Sequence, residues 1–187
     1  MALSQLRSWL CAAACVAICA PQPTPAQQTT PSKEYQLKAV FLFNFAQFVD
    51  WPERAFGAAD APLVIGVLGQ DPFGSYLDEL VRGETINGHS LMVQRYDRPD
   101  GITNPHILFI SRSAADRMQH ILDTLKGRPI LTVGDVDGFA GMGGMIRFVT
   151  DKNRIRLRIN PEAAEAANLK LSSKLLRPAD IVRRGED

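Results

Sequence analysis

Leu63-Val64-Ile65-Gly66-Val67-Leu68 is a continuous apolar run of strand length. A strand with one face in water alternates apolar and polar residues; a strand covered on both faces does not. This run therefore reads as a central strand of a parallel sheet. Gly69 ends it, and Asp71-Pro72 opens a helix expected to continue through Ser75, Leu77 and Leu80. Gly83, Asn87 and Gly88 mark turns, and Leu91 to Tyr96 alternates as a second strand. His106 to Ile110 is again short and apolar. A helix from about Ser113 to Leu125 follows it, with Ser113 as N-cap and Asp116 in the first turn. Arg128-Pro129 leads into a fourth strand, Ile130-Leu131-Thr132-Val133. Strand and helix alternate along this stretch, which predicts βαβ units. The fold class is α/β: a single compact domain with a mostly parallel sheet flanked by helices.

The pattern changes toward the C-terminus. Met145 to Val149 and Arg154 to Ile159 are strand-like and are joined by the turn formers Thr150-Asp151-Lys152-Asn153, which predicts a hairpin. Ile155, Leu157 and Ile159 face one way, and Arg154, Arg156 and Arg158 face the other. The arginines read as the solvated face of an outer strand, where charge discourages edge pairing. As a functional surface they suit an acidic partner or an anion, through bidentate guanidinium contacts. Pro161 starts an Ala-rich helix that continues through Ala167, and Ser172 and Pro178 flank a last helical piece.

Upstream of the first strand, Ser32 and Glu34 suit a helix N-terminus. Leu37, Val40, Phe41, Asn44, Phe45 and Phe48 recur at helical spacing, and Leu42 and Phe43 widen the apolar face. The helix should stop before Trp51-Pro52, because the residue before proline disfavours the α region. Its aromatics belong to core packing, with one face left for a dimer or partner contact.

Residues 1–26 read as a cleaved signal peptide. Arg7 precedes an apolar run from Leu10 to Ala20, and Thr24-Pro25-Ala26 offers a small-residue exit. The run is too short to span a bilayer, which takes about 20 apolar residues. No later segment is long enough, so the mature chain is not expected to span a membrane. Residues 27–32 read as a flexible mature N-terminus, and residues 33–187 as the domain. Cys11, Cys15 and Cys19 all fall in the leader. Cys19 follows bulky Ile18, which argues against lipidation. A thiol-free mature domain must be held by its core, although its compartment would permit disulfides. The 21 Lys and Arg face 20 Asp and Glu. Arg7 is the one charged side chain of the leader, so the mature formal charge is near zero, which argues against a nucleic-acid partner.

No catalytic, metal or cofactor site is expected. Gly138, Gly141, Gly143 and Gly144 form a Gly-rich loop without dinucleotide or P-loop spacing, so it reads as a flexible turn. Asp135-Val136-Asp137-Gly138 lacks the remaining ligands of a calcium loop. His89, His106 and His120 have no metal-ligand spacing. His106 reads as a satisfied buried imidazole and His120 as a surface residue. No nucleophile elbow is present.

Several stretches in order resemble the YfiR family of periplasmic proteins. They are Glu34-Tyr35-Gln36-Leu37-Lys38-Ala39-Val40-Phe41-Leu42-Phe43-Asn44-Phe45 running to Trp51-Pro52, Ile65-Gly66-Val67-Leu68-Gly69, His106-Ile107-Leu108-Phe109-Ile110-Ser111, Leu131-Thr132-Val133-Gly134-Asp135 and Gly144-Met145-Ile146-Arg147-Phe148. Arg154-Ile155-Arg156-Leu157-Arg158-Ile159-Asn160 and Leu169-Lys170-Leu171-Ser172-Ser173-Lys174-Leu175-Leu176 close the set. The resemblance covers nearly the whole mature chain. It implies an α/β domain, a homodimer, and a regulatory role without catalysis. Its best-understood members hold down a membrane-bound diguanylate cyclase by touching its periplasmic sensor domain. Relatives often carry a cysteine before the His-Ile-Leu-Phe-Ile-Ser stretch; Pro105 stands there here, so that disulfide is absent. The contact candidates are Arg147, Arg156, Arg158, Asn160, Lys170, Ser172 and Ser173, with Ser172 and Ser173 equally suited to capping the last helix. A small-ligand-sensing module for another membrane receptor is the alternative expectation, and a hydrolase with a spatially assembled site the third.

Overall fold

The structure is a computed structural model and describes residues 31–152 and 154–186. The expected signal peptide, its three cysteines and residues 27–30 of the expected mature N-terminus lie outside the described residues. In chain order the elements are α1 (Lys33–Phe48), β1 (Val49–Asp50), β2 (Leu63–Leu68), α2 (Ser75–Val81), β3 (Thr85–Ile86), β4 (His89–Tyr96) and β5 (Ile107–Ile110). They continue with α3 (Met118–Leu125), β6 (Leu131–Gly134), β7 (Ile146–Asp151), β8 (Arg154–Ile159), α4 (Pro161–Ala166), β9 (Lys170–Leu171), α5 (Ser173–Leu176) and β10 (Asp180–Ile181).

Eight strands form one sheet in the order β10-β8-β7-β6-β5-β2-β4-β3, and β1 pairs with β9 separately. From β4 to β7 every neighbouring pair is parallel. The apolar runs explain why. On β2 and β5, Ile65, Val67, Ile107 and Phe109 pack into a cluster with α1 and α2. Leu68, Leu108 and Ile110 pack on the opposite face with Met118, Ile121, Leu122 and Leu125 of α3. Both faces are covered, so neither strand alternates. Gly66 breaks the apolar run for a steric reason. A Cβ there would lie 2.9 Å from both Leu108 Cδ1 and Tyr96 Cε2.

The hairpin forms as expected, β7 and β8 pairing antiparallel from Ile146↔Ile159 to Asp151↔Arg154. It is displaced along the sheet, because Ile146 lies opposite Val133, near the end of β6. Most of the hairpin therefore projects beyond the strand ends of the parallel core.

Four expectations need correction. The helix expected from Ser113 begins instead as a 3-10 turn, Arg112–Arg117, and becomes α-helical at Met118. Ser111 caps it, and the Ser113 hydroxyl accepts a 2.8 Å bond from Gln70 N–H, tying the end of β5 to that of β2. In α1 the buried face is Lys38, Ala39, Leu42, Phe45 and Ala46, while Leu37 is 41% exposed. The two alanines let the helix approach the sheet closely, and the flanking aromatics Phe41, Phe43 and Phe48 pack half-buried beside it. The Gly-rich loop is not a loose turn. Backbone bonds from Met142, Gly143 and Gly144 close it around fully buried Phe139. Finally, β8 is not the outermost strand: β10 lies outside it over Asp180↔Arg158 and Ile181↔Ile159.

Candidate functional site

The chain crosses from one side of β2 to the other between β4 and β5. In open α/β sheets such a switch point, at the carboxyl ends of the strands, is where ligands bind. Gly69 and Gln70 end β2 here, Ser111 and Arg112 end β5, and Asp135 follows β6 directly.

A buried charge cluster occupies this rim. Lys38 has no exposed surface, and its Nζ lies 2.5 Å from Asp135 Oδ2 and 2.6 Å from Glu34 Oε1. Tyr35 donates its hydroxyl to the same Asp135 oxygen at 3.0 Å, and its ring centroid lies 4.4 Å from Nζ. Arg112 Nε approaches Asp135 Oδ1 at 3.2 Å as an ion pair without hydrogen-bond alignment. Burial first, then the Asp135 carboxylate, pushes the Tyr35 phenol up to about 12. The hydrogen bond from Lys38 holds the Glu34 carboxyl below its ordinary range. Glu34 also accepts from Thr150 Oγ1 at 2.9 Å, tying the start of α1 to the hairpin. Sequence reading missed this cluster. Its one local signal is Glu34 and Lys38 at i,i+4 inside an apolar helix.

The hairpin carries three of the candidates on one face. Directly opposed residues of an antiparallel pair share a face, so the pairs Arg147↔Arg158 and Val149↔Arg156 set Arg147, Arg158 and Arg156 together. Arg147 is 9% exposed and bonds the Asp137 carboxylate, while Arg156 is exposed and lies 3.8 Å from Asp151 Oδ2. The other candidates lie elsewhere. Buried Asn160 caps α4, accepting from Ala163 N–H and donating to the Ala140 carbonyl. Ser172 caps α5, and its N–H donates to the Phe48 carbonyl at the far end of α1. Lys170 pairs with Asp50 in the small sheet, and Ser173 begins α5. The seven residues thus divide between the hairpin face, a buried cap and the α1 C-terminal end.

Two further features complete the molecule. A cavity of about 190 Å³ lies between α3 and α4, lined by Leu122, Leu125, Met142, Met145, Ala163 and Ala166, with Thr132 and Asn160 among its polar lining residues. At the opposite end of the sheet His106 is buried, 4.3 Å from the Phe56 ring, which also stacks on His89 at 3.9 Å. Its Nδ1 accepts from Val64 N–H, so the proton resides on Nε2, which has no hydrogen-bond partner among the described residues. The expectation of a satisfied imidazole holds for one nitrogen only. Burial, with nearby His89 adding, lowers this imidazole to about 4. The unfolded chain therefore binds a proton here between about pH 6.5 and 4 while the folded chain does not. The stabilisation is full above about pH 6.5 and is lost as pH falls toward 4. A shift this large is of order 3 kcal/mol. His106→Asn, whose amide oxygen can take the place of Nδ1 as acceptor for Val64, is expected to flatten the acid side of a stability–pH curve measured by urea denaturation. An unchanged acid side would assign the loss to other groups.

Among the described residues no helix is long and apolar enough to cross a membrane. Fold and rim together define a doubly wound α/β domain, extended by an arginine-faced hairpin and locked by a buried ion cluster. A family model described as YfiR/HmsC-like matches residues 35–180, and the chain belongs to that family. The family is one of periplasmic regulators in cyclic di-GMP signalling. A search of curated proteins found no match.

Proposed function

We propose that this chain is an exported regulator that holds down a membrane-bound diguanylate cyclase through the cyclase's periplasmic sensor domain. The observation that carries the reading is the family match over residues 35–180. The reading includes cleavage of residues 1–26, a periplasmic home, a homodimer and no catalysis. The hairpin supports it: exposed Arg156 shares one face with half-buried Arg158, and guanidinium groups suit carboxylates of a partner. Binding represses only if the inactive cyclase is preferred. Moving an evenly balanced cyclase to about 1% active takes roughly 100-fold preference, or about 2.8 kcal/mol. Deleting the gene is expected to raise cellular cyclic di-GMP several-fold, measured by mass spectrometry, with restoration by the gene in trans. Unchanged cyclic di-GMP would sink the reading.

A second reading, a small-ligand-sensing module for another receptor, is favoured by the apolar cavity between α3 and α4. In that case the sensor's output responds to deletion while cyclic di-GMP does not.

A further inference from the structure

The hairpin has an open edge. Among the described residues β10 covers β8 only at Arg158 and Ile159, so Arg154 to Leu157 have a ladder neighbour there on the β7 side alone. Backbone directions are set by two bonds. Asn160 N–H donates to Met145 of the β7 side, and the Ile159 carbonyl accepts from Val182 of the β10 side. Alternate residues of a strand aim their backbone groups oppositely. Ile155 and Leu157 therefore direct their N–H and C=O groups away from β7, along the line on which β10 stops. Leu157 is buried, so the accessible part of the edge is at half-buried Ile155 between exposed Arg154 and Arg156. Pro178, just before β10, keeps that strand from growing to cover them.

We infer that this edge takes up an extended segment of the partner protein by strand addition, and that the segment alternates acidic and apolar residues. The inference rests on the proposed regulatory reading and names its contact. Exposed Arg154 and Arg156 flank the open edge on one face. Half-buried Ile155, with 53%-exposed Ile181 at the β10 end, supplies apolar surface on the other. Main-chain bonds would supply affinity and the two faces would supply selectivity. A second copy of this chain fits badly. In an antiparallel self-pair, an even register sets arginine opposite arginine, which is destabilising. An odd register sets the arginine face of one strand against the apolar face of the other. An acidic strand meets neither obstacle.

The test is an NMR titration of the isotope-labelled protein with a capped Glu-Val-Glu-Val-Glu-Val peptide and its Lys-Val-Lys-Val-Lys-Val counterpart. Strand addition predicts that the acidic peptide alone binds and slows amide exchange at Ile155. Ile155→Pro removes one edge donor without touching the β7 ladder, as edge positions tolerate. It should weaken binding about tenfold, as for one lost hydrogen bond. The surface variant Arg154→Glu/Arg156→Glu should weaken it about tenfold or more. No binding of the acidic peptide, equal binding of the basic one, or insensitivity to Ile155→Pro would each overturn the inference. So would conversion of a dimer to a monomer by Ile155→Pro. Complementing the deletion strain separates the two levels. If wild type and both variants restore low cyclic di-GMP alike, strand addition fails and the regulatory reading stands. If deletion itself has no effect, the regulatory reading fails and the peptide titration alone decides the edge.

Discussion

Replacing Lys38 by methionine is expected to lower the melting temperature of this protein by about 6–12 °C. The substitution keeps an unbranched chain one heavy atom shorter, so only a small void follows at the ammonium position. It leaves Asp135, whose side chain has no exposed surface, without the ammonium 2.5 Å away. Breaking a buried ion pair from one side costs about 3–5 kcal/mol, because the remaining charge stays buried. A domain of this size loses roughly 2–4 °C per kcal/mol. Tyr35 and Arg112 still reach Asp135, which places the loss toward the lower end of that range. Lys38→Met/Asp135→Asn removes both charges and keeps an acceptor for the Tyr35 hydroxyl. The pair should recover most of the stability, since desolvating two charges offsets much of their attraction. Calorimetry of the three proteins checks this. A single variant melting within a degree or two of wild type would show that the rim does not depend on the pair.

The same lysine marks where sequence reading stops. The parallel core was legible because β2 and β5 are covered on both faces, and a run such as Ile107-Leu108-Phe109-Ile110 has few other uses. The hairpin was legible for the opposite reason: its two faces differ, and the Ile/Arg alternation records that difference. The buried face of α1 shares Leu42 and Phe45 with the apolar spacing and departs from it elsewhere. Periodicity assigns a lysine to water and counts alanine weakly, whereas Lys38, Ala39 and Ala46 lie against the sheet. Lys38 and Asp135 stand 97 residues apart, so no local pattern joins them. Of the contact candidates, the hairpin arginines came together because strand pairing is encoded locally. Ser172 and Asn160 proved to be helix caps, the ordinary role of those residue types before a short helix.

Phe139→Ala is expected to destabilise the protein by about 3–5 kcal/mol, the range for removing a fully buried phenylalanine. The Gly-rich loop makes the prediction sharper than burial alone. Its ring sits between two glycines. A Cβ at Gly134 would lie 2.6 Å from two ring carbons, and one at Gly144 would overlap the ring edge. Gly144 has an ordinary backbone conformation, so Gly144→Ala acts through this overlap. It is expected to destabilise by about 3 kcal/mol, the upper part of the range for overfilling a packed core. The two substitutions should then compensate. In Phe139→Ala/Gly144→Ala the added methyl enters space the ring has left, so the double variant should be more stable than the sum of the single losses by about 1–2 kcal/mol. The consequence reaches the hairpin, because this loop follows Asp137, the partner of Arg147. Chemical denaturation of the four proteins measures the coupling. Strict additivity would mean that Phe139 and Gly144 are not in contact, and that the glycines serve only the turn.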